Sequence, residues 1–139
     1  MNKDIKSDSG RNIVITLPRH LMDAILSGKK LYEVRKRAPK DIIPGRTKVY
    51  MVEKGTYLVH GYFVLGGFLT IVDAGAAWYH YGPKLAISKE WFIDYAAGAD
   101  ELKFWIVQDV RRFSDPYFID VDFRISRNPQ CYVYTDINL

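Results

Sequence analysis

The stretch GKKLYEVRKR, Gly28–Arg37, places five cations and one carboxylate directly after a glycine. The residues before it read as a short helix. Pro18 suits the first turn, Leu17, Leu21 and Ile25 fall on one stripe with Met22 and Leu26 beside it, and Gly28 is a ready C-terminal stop. From Leu31 to Arg37 the chain alternates in character as an exposed strand does. The stretch is therefore a handover from a glycine-ended helix to a basic strand. Two apart, Glu33 and Arg35 share one strand face. Strict alternation puts Lys30 on the other face. A strand that starts only at Leu31 lets Lys30 join them. Lys29 and Lys30 can also cap the last helical carbonyls.

Working outward, Asn12–Thr16 (NIVIT) reads as a strand of β-branched residues. Ala38–Thr47, with two prolines and a glycine, reads as a loop, and Lys48–Glu53 as a strand ending in a Lys54–Gly55 turn. Thr56–Val72 fits one long bent strand or two, with Gly66–Gly67 as a bulge or corner. Asp73–Pro83 is ambiguous and fits one helical turn. Ser88 reads as the N-cap of a helix over KEWFIDYAA that Gly98 ends, with Phe92 and Tyr95 on its inner face. Leu102–Val107 is an apolar, central strand, and VRRFSDPYFI and QCYVYTDI supply more. The order β-α-β-β-β-α-β-β-β does not alternate as a doubly wound sheet requires. It predicts an α+β, mainly β fold: a small mixed or antiparallel barrel with two main flanking helices.

A chain of 139 residues that is 48% hydrophobic can bury a core without disulfides, and it fits one domain. A loose tail is expected over residues 1–11 and the domain over residues 12–139. The polar MNKDIKSDSGRN start lacks the apolar run of a signal peptide, and no stretch reaches membrane-span length, so the expectation is a cytoplasmic protein without membrane partners. Cys131 is the only cysteine, and His20, His60 and His80 lack ligand spacing, so neither a metal nor another cofactor is expected. Residues 28–48 hold eight Lys or Arg against two acids, a net of +6, while the rest holds twelve against fourteen, a net of −2. The basic character is one patch on a near-neutral body, and such a patch attracts polyanions or stays a solvated surface.

GKKLYEVR also matches the pattern G-x-K-x-x-E-x-R at Gly28, Lys30, Glu33 and Arg35. In this it resembles the ASCH domain of the PUA-like superfamily. Ile87–Val107 looks like that group's helix, glycine and buried-strand unit, and Arg127–Ile137 (RNPQCYVYTDI) is similar to its closing strand. The resemblance spans most of Ile13–Ile137. It implies a barrel around a cleft that takes RNA or a modified nucleotide. One ASCH-like group hydrolyses N4-acetylcytidine and carries a catalytic threonine in the glutamate slot, where this chain has Glu33.

The candidate nucleic-acid-binding residues are Lys30, Glu33, Arg35, Arg37, Lys48, Trp78 and Tyr81. Lys30 can hydrogen-bond a phosphate or base oxygen, Arg35 can contact either bidentately, and Glu33 can accept from an exocyclic amine. Arg37 and Lys48, with Lys36, Lys40 and Arg46, form an outer electrostatic apron. Trp78 and Tyr81, within WYHY, can stack on an unpaired base. Were the protein an enzyme, an amidohydrolase on N4-acylated cytidine-type nucleosides, Lys30 and Glu33 would be its catalytic pair. A regulatory or interaction domain that keeps the fold without the ligand is the third reading.

Overall fold

The computed structural model describes residues 11–139, so nearly all of the expected N-terminal tail lies outside the described residues. The elements in chain order are β1 (Asn12–Leu17), α1 (Arg19–Leu26), β2 (Tyr32–Arg35), β3 (Lys48–Glu53), β4 (Leu58–Ile71), α2 (Ala74–Tyr81), a 3-10 turn (Gly82–Lys84), α3 (Lys89–Ala96), β5 (Leu102–Phe118) and β6 (Tyr132–Thr135).

The six strands form one mixed sheet in the order β2-β5-β4-β3-β1-β6. Among the described strands only β1–β3 is parallel, because α1, β2 and the loop after it carry the chain across between them. Alternation along β1 and β3 fills two layers. Ile13, Ile15, Leu17, Val49 and Met51 meet Met22 and Ile25 of α1 on one face. Val14, Tyr50 and Val52 meet Ile119 and Phe123 on the other. A third cluster joins Val34, Phe104 and Leu102 to Ala77, Leu85 and Phe92 of the helical segment between β4 and β5.

The α+β, mainly β class holds, but the barrel does not. The edge strands β2 and β6 do not pair, so the sheet stays open. Both have only four residues, and Pro129, just before β6, has no N–H to extend a ladder. Closure needs an unbroken staggered ring of pairs. Other boundaries differ too. Asp73 caps a full helix, accepting from the Ala76 N–H at 3.0 Å, so three helices flank the sheet and not two. The two strands expected after Leu102 are one, because Asp109 takes a left-handed φ of 44° within it and the ladder resumes after a register shift. The Gly66–Gly67 bulge is present, between Leu65 and Phe68.

Candidate functional site

Where the sheet fails to close there is a cleft of ≈ 1040 Å³. One lip is the end of β1 and the start of α1, from Thr16 to Leu21. The opposite lip is the segment between β4 and β5, with Trp78, Pro83, Ile87, Ser88 and Trp91. Lys30, Glu33 and Arg35 form the floor.

Local sequence puts that floor in place. Gly28, at φ 85°, ends α1, and the backbone N–H groups of Lys29 and Lys30 both donate to the Ala24 carbonyl. β2 does not start until Tyr32, so Lys30 escapes strict alternation and turns inward. Its side chain is 1% exposed, and its ammonium donates to the Leu85 carbonyl. The same ammonium lies 3.7 Å from Glu33 Oε1. The other carboxylate oxygen, Oε2, accepts from Arg35 Nε at 2.6 Å. Arg35 Nη1 donates to the Cys131 carbonyl at 3.0 Å and Nη2 to the Thr16 carbonyl at 3.3 Å. One guanidinium thus ties β2 to the end of β1 and the residue before β6, across the gap no backbone pair spans. It also lies 5.7 Å from the centre of the Trp105 ring.

Burial pushes the Lys30 ammonium below its usual pKa, and the attraction of Glu33 opposes that shift. The floor therefore offers a donor and an acceptor side by side, held from both ends. Arg35 has committed all three nitrogens to protein acceptors, so it orients Glu33 and holds the seam.

Of the residues predicted from sequence, Lys30, Glu33, Arg35 and Trp78 converge on the cleft. Arg37, Lys48 and Tyr81 do not line it. Arg37 is exposed, and its carbonyl accepts from Trp105 Nε1 at 3.0 Å. Lys48 Nζ is bound to Asn138 Oδ1 at 2.9 Å and to the Leu139 carbonyl at 2.6 Å. Tyr81 packs inward on Tyr32 and Phe104, with ring centres 5.3 and 5.7 Å apart. Cys131 is half-buried.

Sequence reasoning missed His20, Lys54, Trp91 and Gln130 as cleft residues, and it read Tyr95 as core. Trp91 and Tyr95 carried a usable signal: four apart on a helix, they share a side. Lys54 was hidden in a turn. Among the described residues no group of three or more His, Cys, Asp or Glu converges as a metal site would. Nor is any helix there long and apolar enough to cross a membrane.

The fold is similar to that of solved ASCH proteins. The chain overlays the crystal structure of a serine-to-alanine mutant of the ASCH protein of Zymomonas mobilis with a TM-score of 0.78 at 22% identity, covering 91% of this chain and 89% of that one. Against the ASCH structure from the same organism the TM-score is 0.76 at 23% identity, covering 89% and 87%. A tyrosine-to-phenylalanine mutant of that protein gives 0.76 at 23%, covering 89% of each chain. No protein-family model and no curated protein matches the sequence.

Proposed function

We propose that the cleft binds the unpaired base of a nucleic acid, RNA or a modified nucleotide, with Lys30 and Glu33 reading its hydrogen-bonding edge. The observation that carries this reading is the donor–acceptor pair 3.7 Å apart on the floor of an aromatic-walled cleft. A nucleobase presents adjacent donors and acceptors on its edge and flat faces for stacking. A cleft of ≈ 1040 Å³ has room for a nucleotide. The +6 patch runs directly into the floor residues, so phosphates are attracted to the cleft mouth. The test is a binding titration with single-stranded RNA and with single nucleotides at several salt concentrations. Wild type binds at low salt, and Glu33→Gln weakens binding while keeping the fold. Absence of binding at low salt, or equal binding by Glu33→Gln and Lys30→Ala, overturns the reading.

A second reading rests on the burial of Lys30. Its lowered ammonium pKa brings the neutral amine closer to reach, and Glu33 is near enough to take a proton, as hydrolysis of an N4-acylated cytidine requires. The two aliphatic hydroxyls of the cleft lining are engaged within the protein: Thr16 Oγ1 donates to the Pro129 carbonyl at 2.8 Å, and Ser88 Oγ accepts from the Trp91 N–H at 3.0 Å. Water is then the nucleophile of this reading. Incubation with N4-acetylcytidine decides it, since no cytidine at high protein concentration removes it for that substrate.

A further inference from the structure

Trp91 departs from the burial expected of its size. It sits on the first turn of α3, lines the cleft and is 45% exposed. Its indole is fixed. The Tyr95 ring stacks on it with centres 4.8 Å apart and planes 12° apart. Behind Tyr95, the ammonium of Lys36 lies 4.8 Å from the ring centre. Lys36, Tyr95 and Trp91 thus form a braced stack at the cleft rim, with the indole as its outer member. Facing it across the mouth, exposed Lys54 lines the other lip, and its ammonium makes no ion pair with any described residue.

A rigid, half-exposed aromatic plane beside a base-sized cleft, flanked by cations, has the two parts that single-strand binding needs: a face for a base and charge for the backbone. A solvated helix surface has no use for an exposed indole, and cation–π bracing favours a plane that is kept in place. From the proposed reading of the cleft, on which this rests, we infer that the ligand is a single-stranded polynucleotide: one base enters the cleft, the neighbouring base stacks on Trp91, and Lys54 and Lys36 attract the linking phosphates. The site then has two base positions, and a free nucleoside fills only the inner one.

The experiment compares the four common mononucleotides with the matching trinucleotides, as RNA and as DNA, against wild type, Trp91→Ala, Trp91→Phe and Glu33→Gln. Wild type binds at least one trinucleotide more tightly than its mononucleotide, and Trp91→Ala loses about tenfold on that trinucleotide. Trp91→Ala costs the trinucleotide a clearly larger factor than it costs the mononucleotide, and Trp91→Phe, which keeps a ring, retains most of the gain. A DNA trinucleotide that shows the same gain identifies a stacking platform indifferent to the 2′-hydroxyl, whereas a gain confined to RNA assigns the outer position to RNA. Equal affinity for mononucleotide and trinucleotide, or equal loss of both in Trp91→Ala, overturns the outer position and leaves the cleft reading standing. Absence of binding by every probe, or binding that Glu33→Gln does not touch, overturns the cleft reading and the outer position with it.

Discussion

Lys30 titrates against the grain of a surface lysine. Its ordinary value is 10.5, and burial lowers it in the native state. Between the lowered value and 10.5 the unfolded chain holds a proton the folded chain has released, so this residue makes stability rise with pH in that window. Below the window both states are protonated and the penalty of burying the charge is constant. Wild type is therefore expected to gain on Lys30→Met as pH climbs through that window towards 10.5, by up to ~1.4 kcal/mol per unit. Urea midpoints across pH measure it, and a difference that stays constant would show that Lys30 keeps its proton throughout.

Arg35 makes a second residue-scale prediction. Its side chain is 13% exposed and bonds Glu33, Thr16 and Cys131. Arg35→Ala leaves Glu33 without its closest partner and the seam without its tie, and is expected to cost about 3 kcal/mol. Lysine keeps the charge but lacks the planar fork, so Arg35→Lys recovers little of this. Chemical denaturation reads both, and wild-type stability in Arg35→Lys would refute the tie. Glu33 and Arg35 were legible from their spacing alone. That Arg35 spends its donors on carbonyls of Thr16 and Cys131 was not, because those partners lie far away in the chain.

At the scale of elements, strand pairing explains two glycines. A Cβ on Gly61 would lie 2.3 Å from the Arg111 carbonyl oxygen, a backbone atom fixed in the β4–β5 ladder. On Gly66 it would lie 2.6 Å from the amide of Gln108, the mobile end of a side chain. Gly61→Ala should therefore cost about 2 kcal/mol and Gly66→Ala clearly less. Thermal midpoints of the two variants give the ranking, and the reverse order would mean that the ladder yields more easily than the side chain does. Elements with a strong local pattern were readable: α1 with its apolar stripe, β3 with its alternation, α3 with its serine cap. α2 was not, because AGAAWYHY carries no apolar stripe and only the Asp73 cap announces it. The joining of two expected strands into β5 was hidden as well, since it depends on pairing with β4 through a left-handed Asp109.

For the whole molecule, open sheet against closed barrel was decided by partners and not by pattern. Every strand of the sheet has a sequence signal, but whether β2 meets β6 depends on chain lengths and on Pro129. The charge distribution was fully legible, and it makes a prediction at this scale. Removing Lys36 and Lys40 together should weaken binding of all strands alike and flatten the salt dependence by about two charges' worth. Base preference should stay as it was. Affinities over a salt series test this, and an altered preference would place those lysines at a base and not on the backbone.

The segment that carries Trp78, Ser88 and Trp91 leaves the sheet after Ile71 and returns at Leu102, and those two residues pair directly across β4 and β5. Its ends are thus already clamped side by side, and Ala77, Leu85 and Phe92 pack it as one block onto Val34, Leu102 and Phe104 of the sheet. Such a piece can melt and reform as a unit while the ladder beneath it persists. It can also be exchanged for a different segment of the same span without re-registering a strand, provided the new segment keeps a carbonyl for the Lys30 ammonium where Leu85 now supplies one, so one wall of the cleft can be rewritten over an unchanged floor.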